Sequence, residues 1–113
     1  MTVSGVSAIA GSLTTINAQT SSYTLTATDS GKFVTVTSGT ATTVTIPTFA
    51  SGNIPVGTKI GVVQYGTAQV TIAGASGVTV NGTPGLKTRA QYSRVELLQV
   101  SQDTWLLYGD TSA

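Results

Sequence analysis

Threonine alternates with β-branched, aliphatic and aromatic residues along most of this chain, as in Ser22-Tyr23-Thr24-Leu25-Thr26-Ala27-Thr28 and Phe33-Val34-Thr35-Val36-Thr37. A period of two puts successive side chains on opposite faces, so each run reads as a strand with one apolar and one hydroxyl-bearing side. No long stretch keeps the 3.6-residue period, so no major helix is predicted. The runs are separated by Asp29-Ser30-Gly31-Lys32, Gly39-Thr40, Gly66-Thr67, Gly74-Ala75-Ser76-Gly77, Asn81-Gly82 and Ser101-Gln102-Asp103, all rich in turn formers.

The spacing predicts about ten short strands at roughly 8–12-residue intervals, the rhythm of an all-β sandwich or barrel. Gly31 and Asn81-Gly82 supply the residues that tight hairpins need, which predicts antiparallel pairing at both places. Pro47 ends the strand over residues 42–46 by removing a donor. Residues 48–57 lose the alternation and form one long connection, expected to cross from one sheet to the other. The predicted fold is therefore an antiparallel β-sandwich or jelly-roll-like barrel. Residues 1–12 are read as an N-terminal arm and residues 13–113 as a single β-sandwich domain. Residues 22–47 and 59–80 are alike in pattern, but no repeat of fixed period is detectable.

Composition narrows the function. The chain has no His and no Cys, and only 8% of its residues are charged, four acidic and five basic. Disulfides, thiolate metal sites and thiol or imidazole catalysis are excluded on those grounds. Only a carboxylate pair could run acid–base chemistry, such as Glu96 with Asp103 in a hydrolase. Asp29, Asp103 and Asp110 sit where turns or chain ends fall, and capping explains them. The chain is read as no enzyme, with no catalytic residues, no cofactor and no metal site.

A net charge of +1 leaves no basic stripe to displace counterions from phosphates, which argues against nucleic acid as a partner. No apolar run approaches the ~18 residues needed to cross a bilayer, so no membrane partner is expected. The first residues lack a charged segment followed by an apolar one, and a soluble protein without a secretion signal is expected.

The low charge is itself informative, because an ordinary domain carries about 25% charged residues. Much of the surface outside the core is therefore expected to be interface. Trp105 and Leu107 alternate with Leu106 and Tyr108, so both faces of the last strand are apolar; one face belongs to the core and the other to a contact between subunits. Lys87, Arg89 and Gln91 share a face of an extended segment and could meet an acidic surface, or could mark a solubilised sheet edge. Tyr92 completes the interface candidates. Glu96 is placed to neutralise Arg94 on the same strand face.

The ordered series Ile16-Asn17-Ala18-Gln19-Thr20, residues 23–32, Val44-Thr45-Ile46-Pro47, Val56-Gly57-Thr58, residues 69–74 and 77–81, residues 86–93 and residues 104–110 resembles a β module of tailed-bacteriophage virion proteins. It is similar to fibre, knob and head-decoration components over about residues 13–110. The resemblance implies a non-catalytic jelly-roll-like homotrimer, most simply a virion protein on the surface of the head, made in the host cytoplasm. Its partners would be further copies and the major capsid protein or another virion protein, and it would stabilise the shell as a decoration or cement protein. Val3, Val6 and Ile9 of the arm would contact a neighbouring shell subunit. No anchor domain, coiled coil or shaft repeat is expected before the module, which would depart from the long-fibre pattern. The alternative is a tail fibre or receptor-binding module recognising host surface glycans, and it calls for exposed aromatics in a groove, Tyr65 or Tyr92 among them.

Overall fold

A computed structural model describes residues 15–113. The arm, with Val3, Val6 and Ile9, lies outside the described residues. Eleven strands follow in order: β1 (Ile16–Gln19), β2 (Tyr23–Thr24), β3 (Phe33–Val36), β4 (Thr42–Ile46), β5 (Lys59–Gln64), β6 (Val70–Gly74), β7 (Thr79–Gly82), β8 (Lys87–Thr88), β9 (Arg94–Ser101), β10 (Thr104–Gly109) and β11 (Thr111–Ser112). One short helix, α1 (Phe49–Gly52), sits in the long connection. Thr48 begins it by accepting a hydrogen bond from the Ser51 N–H, and Asp103 Oδ1 accepts one from the Phe49 N–H at 2.7 Å.

The strands form two sheets. Sheet A has six, in the order β1-β3-β5-β9-β10-β7, and sheet B has five, in the order β11-β8-β6-β4-β2. From β1 to β6 the chain changes sheet at every connection, so each return to a sheet runs in the same direction as the last. The consequence is parallel pairing of β1 with β3, β3 with β5, β2 with β4 and β4 with β6. Antiparallel pairing, expected throughout, is confined to β5–β9, β9–β10, β6–β8 and β8–β11. The expected all-β, two-sheet architecture holds; the all-antiparallel pairing of a jelly roll does not.

Two turns explain the difference. The Asp29-Ser30-Gly31-Lys32 segment does not fold β3 back on β2. A 3-10 turn over Ala27–Asp29 carries the chain from sheet B to sheet A, and Gly31, at φ +75°, supplies the left-handed residue for that corner. Asn81 and Gly82 lie inside β7, which pairs in parallel with β10 rather than forming a hairpin. The predicted turn at Ser101-Gln102-Asp103 does join two antiparallel strands, β9 and β10, with Asp103 at φ +60°.

The inner faces of the two sheets share one core. Val34, Val36, Ile60, Val62, Val95, Leu97, Trp105 and Leu107 from sheet A meet Val44, Ile46, Val70 and Ile72 from sheet B, all at most 1% exposed. In three places hydrogen bonds satisfy buried polar side chains. Gln99 donates to the carbonyls of Ile54 and Pro55, tying the long connection to β9. Asp29 accepts from Asn17 Nδ2 and the Tyr23 hydroxyl, both at 2.8 Å, and from the Thr26 N–H at 2.9 Å. Burial, together with the bond to Asp29, raises the Tyr23 pKa above its ordinary value. In the third place Thr88 bridges the sheets: its hydroxyl accepts from the Val70 N–H and donates to Gln64 Oε1.

Candidate functional site

The outward faces of the two sheets are chemically unlike. On sheet B the register stacks Thr24, Thr45 and Ala73 in one row and Thr43, Thr71, Lys87 and Ser112 in the next. These hydroxyl-bearing rows are suited to water. On sheet A the corresponding rows are Ile16–Phe33–Gly61–Glu96–Tyr108 and Lys59–Leu98–Leu106–Asn81. Ile16 is 55%, Leu106 40% and Tyr108 38% exposed, and Val100 at the end of β9 is also exposed. The strands of sheet B carry no large apolar side chain so exposed, whereas on sheet A such side chains stand open on β1, β9 and β10.

That face is ordered by its own contacts. The Phe33 ring lies across Gly61, where a Cβ would stand 2.8 Å from two ring carbons. The Arg94 guanidinium sits 5.6 Å from the centre of the same ring, within cation–π range. Glu96 accepts a hydrogen bond from the Tyr108 hydroxyl at 2.7 Å, and this bond raises the tyrosine's pKa. Arg94 is thus held by an aromatic ring, not by Glu96 as the spacing suggested.

The interface candidates divide accordingly. Leu106 and Tyr108 stand on the outer face of sheet A. Trp105 and Leu107 are 1% exposed and belong to the chain's own core, because the inward side of β10 is theirs; they are corrected from contact residues to core residues. Lys87 is on the outer face of sheet B, facing Thr71 and Ser112 across the strands. Arg89 is paired with Asp110 through Nε at 2.7 Å and Nη2 at 2.9 Å, so its charge is matched within the chain. The Arg89 bonds, with a further one from Ser93, hold the Asp110 carboxyl below its usual range.

Gln91 and Tyr92 belong to a different surface. Where the chain passes between sheets after β3, after β5 and before β9, three corners stack side by side. The Tyr65 and Gly66 N–H groups donate to the Val36 carbonyl, Ala68 donates to Ser38, and Tyr92 donates to Gln64. Gly66 permits this approach, since a Cβ there would lie 2.3 Å from the Ser38 nitrogen. The corners enclose a shallow groove of about 300 Å³ lined by Thr37, Ser38, Gly39, Tyr65, Gly66, Thr67 and Gln91. Tyr65 is 55% and Tyr92 66% exposed, and their rings meet edge to face with centres 5.5 Å apart.

The four carboxylates are not gathered. Asp29 serves the Asn17–Tyr23 network, Glu96 the Tyr108 hydroxyl, Asp103 the start of α1 and Asp110 the Arg89 guanidinium. No protein-family model, curated protein or solved structure matches the chain.

Proposed function

We propose that this chain is a non-enzymatic structural module of a tailed-bacteriophage virion, a homotrimer that decorates the head and cements it. The observation that carries this reading is the contrast between the two outer faces. A threonine-rich surface facing solvent and an apolar one backed by the same core suit a chain that presents one side to water and the other to copies of itself. Of the possible occupants of the sheet A face, a second copy fits best. The face mixes Lys59 and Arg94 with Glu96 among its apolar residues, so a symmetric contact can bring opposite charges together. Burying apolar area there contributes about 25 cal/mol per Å² before association entropy is subtracted.

On this reading the two sheets form a sandwich wound as a short β-solenoid, its first six strands coiled in parallel and its later strands closing it antiparallel. The virion setting rests on the resemblance of that ordered series of sequence segments to phage modules, and the major capsid protein is the proposed partner.

Electron cryomicroscopy of purified particles bearing this chain tests the placement. Three-fold density of matching size on the head surface is the expected result. Its presence only along the tail would replace decoration with a fibre role, and its absence from particles would overturn the virion reading.

A further inference from the structure

The groove at the stacked corners calls for an explanation that a structural role does not supply. Tyr92 occupies the third position of the turn Ala90–Ser93, closed by the Ser93 N–H to the Ala90 carbonyl, and its φ is +71°. That conformation is one glycine adopts freely and a bulky residue adopts at a cost. Strain of this kind persists where the surroundings over-determine it, often at ligand clamps. Here the strained residue projects a ring that is two-thirds exposed and braced by a second exposed ring, Tyr65.

The chemistry of the lining selects the occupant. All seven lining residues are uncharged, which disfavours phosphate, nucleic acid and acidic peptide. Thr37 and Thr67 bring hydroxyls, and Gln91 brings a side-chain amide anchored by one bond from Nε2 to the Tyr65 carbonyl. Directional hydroxyl and amide groups beside aromatic faces match the alternation of hydroxyls and C–H surfaces on a pyranose ring. We propose that the groove lined by Thr37, Tyr65, Thr67 and Gln91, with the Tyr92 ring packed against that of Tyr65, binds a neutral oligosaccharide built of hexose or N-acetylhexosamine units. The site is independent of the sheet A face, so either proposal can fail without the other.

The test uses the full chain in its native assembly. A microbial glycan array presenting neutral hexose and N-acetylhexosamine oligosaccharides is probed first, and the bound saccharide is then titrated against the ¹⁵N-labelled protein, with a proline-rich peptide titrated in parallel. The expected result is saturable shifts of the Tyr65, Gly66, Thr67, Gln91 and Tyr92 amides by saccharide. Tyr65→Ala and Tyr92→Gly should each weaken binding about tenfold, the loss of one aromatic contact worth roughly 1.4 kcal/mol. Tyr92→Gly relieves the backbone strain, so its melting temperature should exceed that of Tyr92→Ala, which keeps the fold as control. No saccharide bound on the array, shifts confined to other residues, undiminished binding by Tyr92→Gly, or shifts from the peptide alone would each overturn the proposal.

Discussion

Replacing Thr88 by valine keeps the side chain's shape and removes a single hydroxyl, which makes it the cleanest probe of how the two sheets are held in register. Thr88 is fully buried; its Oγ1 accepts the Val70 N–H at 3.0 Å and donates to Gln64 Oε1, while Gln64 Nε2 donates to the carbonyls of Gly66 at 3.2 Å and Thr67 at 3.3 Å. The substitution orphans one buried N–H and one buried amide oxygen, each at a cost of about 1–3 kcal/mol, and the added methyl returns about 1 kcal/mol. A net loss of about 3 kcal/mol follows, or roughly 12–20 °C in melting temperature for a domain of this size. Thr88→Ser keeps the hydroxyl and gives up one methyl group, for a loss of about 1 kcal/mol. Urea titration reads both through the midpoint at constant slope. Because Gln64 also steadies two residues of the groove, the Gly66 and Thr67 amides should exchange faster in the valine variant. If Thr88→Val proves as stable as Thr88→Ser, the bridge is not a determinant of stability and the reasoning fails.

Two further outcomes are expected. Gly61→Ala drives a methyl into the Phe33 ring and should cost about 1–3 kcal/mol in chemical denaturation, whereas a partner Phe33→Leu in the same chain should recover part of that loss; a neutral Gly61→Ala would contradict the β3–β5 register. Asp110, whose folded pKa is lowered chiefly by Arg89, contributes stability that is present above its unfolded value of about 3.9 and is lost as pH falls through the folded value. The melting-temperature gap between the native chain and Asp110→Asn should therefore close on acidification below about pH 4, and a gap that persists would remove the Arg89–Asp110 pair from the account.

Where strands lie was largely legible, and how they pair was not. The run at residues 42–46 became β4 with the same limits, and residues 101–103 became the turn between β9 and β10. Period-two alternation is the same for parallel and antiparallel neighbours, so it could not reveal the parallel pairing among β1 to β6. Nor could a repeat search, because the spacing of paired positions varies: Ile16 pairs with Phe33, 17 positions on, while Phe33 pairs with Gly61, 28 positions on.

Glycine signals misled for a related reason. A left-handed residue serves a corner as well as a hairpin, as at Gly31, and a glycine can instead make room for a neighbour. Gly82 does so: a Cβ there would lie 2.9 Å from the Gly85 carbonyl. The alternation of β10 makes both of its faces apolar, but only the tertiary structure assigns Trp105 and Leu107 to the inside. Tyr65 and Tyr92 were visible as aromatics near turns. Their meeting depends on β5 and β9 lying side by side, a pairing of distant segments that no local pattern encodes.

The central claim is that the apolar outer face of sheet A joins copies of the chain. Sedimentation velocity at micromolar concentration, comparing the native protein with Leu106→Glu, tests it most directly. The account predicts a native species of three times the 11.4 kDa chain mass and a single folded chain, with unchanged far-ultraviolet circular dichroism, for the variant. A native protein that sediments as one chain, or a trimer that survives Leu106→Glu intact, would contradict it.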